Sequence, residues 1–166
     1  MIDKKQRKTK LRVYTHWLVV LFYMTMIFYF SSQDGTKSHN VSAGLLGYIK
    51  LAVSLFSERF LEFFSYTGKN YEFFLRKTAH FTEYFVLSLL FYKTMIVSNI
   101  RAGKSIVITL AFCFLYAVSD EIHQIFVPGR AFALRDVIID TLGAAFGLSV
   151  LMIGKIIKER TVKCKE

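Results

Sequence analysis

Residues 105–127 read SIVITLAFCFLYAVSDEIHQIFV. The run is long enough, as a helix, to cross a hydrocarbon core about 30 Å thick. Its apolar part ends in a knot of polar residues, Ser119-Asp120-Glu121-Ile122-His123-Gln124. A fully apolar helix with ionisable groups confined to one end suits a bilayer, where each intramembrane charge is costly and side chains near an end can reach water.

Three further apolar runs repeat this theme, at residues 13–30, 79–98 and 137–157. The chain is 54% hydrophobic and holds 17 Phe in 166 residues. A soluble domain of this size cannot bury that much apolar surface. The expected class is therefore all-α: a polytopic membrane protein with four transmembrane helices, forming a single domain over residues 1–166. A signal peptide is the competing reading of the first run. Its length and the absence of a small-x-small site after Phe30-Ser31-Ser32-Gln33 favour an uncleaved anchor.

Between the first two runs, residues 41–64 follow another pattern. Lys50, Ser54, Ser57, Glu58 and Glu62 share one helical face, while Leu45, Leu46, Ile49, Val53, Phe56 and Phe60 fill much of the other. This predicts an extracytoplasmic amphipathic helix lying in the interface or over the bundle.

The formal charge is +10. Such a charge suggests nucleic acid, but the cations cluster where topology needs them. Lys4, Lys5, Arg7, Lys8, Lys10 and Arg12 precede the first run, Arg101 and Lys104 lie between the second and third, and Lys155, Lys158, Arg160, Lys163 and Lys165 form the tail. Both termini are expected in the cytoplasm, with no nucleic-acid partner. Cys113 in an apolar run and Cys164 in the basic tail fit neither a disulfide nor a zinc site. His16 beside Trp17 reads as an interfacial anchor; His39 has no partner that can be named.

In this topology the acids within or at the edge of the apolar runs, Glu83, Asp120, Glu121, Asp136 and Asp140, all fall toward the outer end. Arg76, His80 and Glu83 share a face of the second helix, with Lys77 and Tyr84 alongside. Asp120, His123 and Gln124 share a face of the third, and Asp136, Asp140, Gly143 and Gly147 a face of the fourth. Three polar faces at one depth are expected to converge on an outward-open pocket, with Arg130 and Arg135 at its rim. The spacing of Gly143 and Gly147 reads as a packing stripe for a neighbouring helix.

The order of these motifs resembles the VanZ-like family. The resemblance rests on Arg76-Lys77-x-x-His80-Phe81-x-Glu83-Tyr84, Ser119-Asp120-Glu121-x-His123-Gln124, Gly129-Arg130, Arg135-Asp136-x-x-x-Asp140-x-x-Gly143 and the segment Phe30-Ser31-Ser32-Gln33. It implies a bacterial cell-membrane protein with a bearing on cell-envelope physiology, and the family's namesake is associated with resistance to the glycopeptide teicoplanin. It implies no particular reaction.

Three readings of the cluster stay open. In the first, an enzyme acts as a hydrolase or transferase on a phosphate-bearing lipid or lipid-linked cell-wall precursor. Arg76, Lys77, Gln124, Arg130 and Arg135 would bind the substrate. His80 or His123 would serve as general acid or base, oriented by Glu83 or Asp120, with Glu121 in the same catalytic group. Asp136 and Asp140 would hold a divalent metal ion. The Asp-Gly-x-x-Ala-Arg and Pro-Ser-Gly-His signatures of known phosphate-transfer membrane enzymes are absent from the chain. In the second, the same pocket binds or shields such a molecule without turning it over. In the third, the charges only hold the bundle together: Arg76 or Lys77 pairing with Glu83, and Arg130 or Arg135 with Asp136. Proton transport is disfavoured, because no acid continues the path across the inner half.

Overall fold

The computed structural model describes residues 4–32 and 71–163, with side chains for 6–32 and 76–161. The described residues form four helices: α1 (Lys4–Ser31), α2 (Tyr71–Val97), α3 (Ala102–Gln124) and α4 (Leu134–Lys163). The amphipathic segment expected at residues 41–64 lies outside the described residues.

Among the described residues, three helices are long and apolar enough to cross a membrane: Gln6–Ser31, Ala102–Gln124 and Leu134–Thr161. The fourth, α2, is interrupted by His80, Glu83 and Lys93. It is also the helix with protein on most sides, packing against α1, α3 and most extensively α4. A helix so placed can carry polar groups on faces that never meet lipid.

The observed helices α1 and α4 outrun the apolar runs at both ends, and α2 does so at its start. Hydropathy marks the thickness of hydrocarbon, whereas backbone hydrogen bonding continues into the interface without apolar side chains. The third stops earlier than expected, at Gln124. Ile125, Phe126 and Val127 donate to carbonyls three residues back, at 3.3, 3.0 and 3.1 Å, and tighten the chain before Pro128. Arg130 N–H then donates to Val127 carbonyl at 3.1 Å, with Gly129 at φ 75°. Pro followed by a left-handed Gly is the residue pair a type II turn requires.

The helices alternate in direction. Ser31 at the end of α1 meets Asp120 near the end of α3, and His80 near the start of α2 meets Asp140 near the start of α4. At the opposite end α2 closes on Asn99, at φ 62°, with Ile100 N–H donating to Met95 carbonyl at 3.0 Å. Asparagine tolerates that left-handed backbone better than most residues.

The core runs along the bundle through Val20, Ile27, Tyr84, Leu87, Phe91, Met95, Cys113, Ala117, Val137 and Ala144. Cys113 is a free buried thiol. Phe91 stacks on Phe112 at 4.0 Å between centroids and meets Trp17 edge-on at 5.8 Å. Tyr116 hydroxyl donates to Met24 carbonyl at 2.7 Å and ties α3 to α1. Outside this core the bundle shows apolar residues outward: Phe22, Leu18, Val107, Leu115 and Ile153 are all more than half exposed. That inversion fits a lipid surround.

The tightest approach is between α2 and α4. A β-carbon on Gly143 would collide with the backbone of Phe81. One on Gly147 would run into the Ser88 side chain and lie 2.8 Å from the Phe85 carbonyl oxygen. The glycines let the two backbones touch, as their spacing predicts.

Candidate functional site

The close α2–α4 contact sets up the polar end of the bundle. One turn before Gly143 on α4, and within the first turns of α2, Asp140 and His80 face each other. Asp140 Oδ1 lies 3.5 Å from His80 Nδ1. Asp140 is wholly buried. Among the described residues neither of its oxygens makes a hydrogen bond, and neither does His80 Nδ1. Tyr84, one turn further along α2, is also fully buried, and its hydroxyl is likewise unpartnered among the described residues. Buried polar groups are normally satisfied, so these exceptions, together with Asp120 Oδ1, Glu121 Oε1 and His123 Nε2 on α3, call for an explanation.

One turn back toward the end of the bundle, Lys77 forms an ion pair with Asp136. Asp136 also sits in the first turn of α4, where a negative charge complements the helix dipole. For Lys77 the pairing expected along the helix, with Glu83, is replaced by one across helices, with Asp136. His80, too, faces Asp140 rather than Glu83 or Asp120. The two glycines let α4 lie against the backbone of α2, which brings the first turns of α4 within reach of the polar face of α2.

The α3 contribution is differently built. Asp120 Oδ2 accepts from Ser31 Oγ at 2.7 Å and from Gln124 Nε2 at 3.3 Å, and Gln124 Nε2 donates to Ser31 Oγ at 2.7 Å. The three side chains are buried and close a ring between α1 and α3. Glu121 Oε2 accepts from the Ala133 backbone N–H at 2.8 Å, which fastens the loop before α4 to the end of α3. His123 stacks on Phe28 with centroids 4.0 Å apart.

The separate pieces belong to one electrostatic neighbourhood. Glu83 interacts with His80, Asp140, Asp120 and Arg130. Asp120 interacts with both His80 and His123, and Glu121 with Asp136, His80 and Asp120. Arg130, half-buried in the loop after α3, interacts with Arg76, Asp120, Glu121 and Asp136. Burial and the neighbouring Arg76 push its guanidinium below the ordinary range. Arg76 and Arg135 are exposed. Residues near 80, 122 and 138 are therefore neighbours at one end of the bundle.

Asp136 and Asp140 are engaged by Lys77 and His80 respectively. Among the described residues no three His, Cys, Asp or Glu side chains are grouped so as to hold a metal ion.

Sequence reasoning missed Ser31 as a member of the site. Its signal was present in Phe30-Ser31-Ser32-Gln33, two small hydroxyl residues where an apolar helix ends. Nothing local indicates that one of them turns inward toward α3. Tyr84 reads from its spacing only as a neighbour of the polar face, whereas in the structure it is fully buried within the cluster.

No curated protein and no solved structure matches the chain. The sequence model of the VanZ/LLP1 family matches residues 16–157, which contain every residue of the polar cluster. The chain, a helical protein of membrane type, belongs to the VanZ/LLP1 family.

Proposed function

We propose that this protein binds the phosphate-bearing headgroup of a membrane lipid or lipid-linked cell-envelope precursor at the polar end of its bundle, and moves a proton on it. In this reading residues 1–166 form one domain in a bacterial cell membrane. Helix α2 spans with the other three, both termini are cytoplasmic, and the cluster faces outward. The basic end formed by Lys8, Arg12, Arg101, Lys104 and Lys155 supports that orientation.

One observation carries the proposal: Asp140, His80 and Tyr84 present buried, unpartnered polar atoms on facing helices beside a rim holding Arg76 and Arg130. A set of charges built only to hold the bundle would be expected to pair most of its buried polar atoms, as Ser31 and Gln124 do with Asp120 Oδ2. Two guanidinium groups within electrostatic reach of each other favour an anion between them, and arginine offers forked donors that match phosphate. His80 would take the proton of an attacking water or hydroxyl as its oxygen bonds to phosphorus, and return it to the leaving oxygen as the old P–O bond breaks. Asp140 would hold the imidazole in place.

Engagement of a lipid-linked precursor at the outer face would alter how teicoplanin reaches its membrane target. This is the link to resistance that the family's namesake suggests.

Purified protein in vesicles with radiolabelled phosphate-bearing lipids tests the reading. Headgroup binding should appear for the parent and fall at least about tenfold for Arg130→Gln, the loss of a charge-assisted hydrogen bond. Labelled product formed by the parent and lost in His80→Gln would add the proton-transfer step; retention without product would reduce the proposal to binding. Equal retention of phosphate-bearing and phosphate-free lipids by parent and variants would sink it.

A further inference from the structure

At the other end of the bundle, far along the helices from His80, the structure holds a half-open cavity of about 420 Å³. It is lined by Lys8, Thr9 and Arg12 of α1 and by Ile96, Val97 and Asn99 at the close of α2. Lys8 and Arg12 are four residues apart and so share a helical face. Among the described residues no acidic side chain lines the cavity. The α2 side joins aliphatic Ile96 and Val97 to the amide of Asn99, and the neighbouring surface of α1 continues as exposed Leu11 and Tyr14, each 63% exposed. Two cations on one wall, aliphatic side chains on the other and an apolar surface leading away match an amphiphile with an anionic head. The volume suits a small polar headgroup.

We infer that this cavity is a binding site for the phosphate and glycerol portion of an anionic phospholipid in the leaflet at the basic end. Lys8 and Arg12 hold the phosphate, Asn99 offers its amide to the glycerol oxygens, and Ile96 and Val97 line the start of an acyl chain that runs on over Leu11 and Tyr14. Basic pockets between transmembrane helices recognise such headgroups by this combination of point charges and apolar wall. The inference requires that the bundle sit in a bilayer, but it does not depend on what the polar cluster at the opposite end binds.

Trp17, the one tryptophan in the chain, makes the test direct. It lies on α1 five residues past Arg12, about 7–8 Å along the axis at 1.5 Å per residue. The full chain is placed in phosphatidylcholine vesicles carrying either brominated phosphatidylglycerol or brominated phosphatidylcholine at equal mole fraction. Phosphatidylglycerol should quench Trp17 at a mole fraction lower by about fivefold for each contributing basic residue. The Lys8→Gln/Arg12→Gln double variant should quench equally with both lipids, and Arg12→Gln alone should show an intermediate preference. Lys155→Gln/Lys158→Gln, at the same end but not lining the cavity, should keep the parent's preference. Added inorganic phosphate at matched ionic strength should leave that preference unchanged.

Equal quenching by the two lipids in the parent would overturn the site. So would a preference that survives Lys8→Gln/Arg12→Gln, or one that Lys155→Gln/Lys158→Gln removes to the same extent, since that would be the diffuse attraction of a charged surface. Competition by free phosphate would overturn the lipid as its ligand. An unchanged Trp17 emission maximum in each variant checks that the bundle is intact.

Discussion

The two halves of the polar end handle buried charge differently, one with a hydrogen-bonded ring at its centre and the other without. Between α1 and α3, Asp120, Ser31 and Gln124 hydrogen-bond to one another, although Asp120 Oδ1, Glu121 Oε1 and His123 Nε2 on α3 have no hydrogen-bond partner among the described residues. Between α2 and α4, Asp140 and His80 approach to 3.5 Å and make no hydrogen bond, and Tyr84 leaves its hydroxyl unpartnered among the described residues. Both halves sit at one depth and both are buried, so solvent access does not separate them. The first half resembles a fastening. The second leaves hydrogen-bonding capacity open, as the proposed headgroup site requires, and it lies where the backbones of two helices are in contact. A buried network that is fully satisfied rigidifies a structure, whereas one left open lowers stability and is retained where it serves another purpose.

Substitutions can break or sharpen this contrast. The largest effect on stability is expected at Gly143→Leu, whose side chain would have to enter the space of the Phe81 backbone. Overpacking of this kind costs about 3 kcal/mol, read as a fall in the unfolding midpoint in detergent. The variant should lose headgroup binding as well, because both halves depend on the bundle closing. A parent-like midpoint would mean that α2 and α4 do not touch there.

A smaller loss is expected for Ser31→Ala, which strips Asp120 and Gln124 of a shared partner. Removing one member of a buried network costs about 1–3 kcal/mol. Headgroup binding per folded molecule should survive. If binding falls while stability holds, the fastening is itself part of the site and the contrast fails.

The smallest effect on stability is expected for Asp140→Asn. The carboxylate that faces His80 at 3.5 Å without hydrogen-bond geometry is exchanged for a neutral amide of the same shape, and the midpoint should stay within about 1 kcal/mol of the parent. Activity, or binding where there is no turnover, should fall at least about tenfold. Strong destabilisation with parent-like binding would move Asp140 into the structural half.

Much of the site's membership was legible in local patterns. The i, i+4, i+7 spacing of Arg76, His80 and Glu83, and of Asp136, Asp140 and Gly143, identified faces that do meet. The pairings were less legible. Lys77 finds Asp136 and His80 finds Asp140, where spacing along one helix pointed to Glu83. Ser31 looked like the end of a helix rather than a partner of Asp120.

Hydrophobic length and helical period are local properties, so the sequence alone determined the helical class, the apolar runs and the crowding of acids toward one end. Which acid meets which cation depends on a few ångströms of helix separation. That separation follows from Gly143 and Gly147 fitting against Phe81, Phe85 and Ser88, residues far away in the chain, and only the tertiary structure decided it. The same contact leaves Asp140 facing His80 without a hydrogen bond.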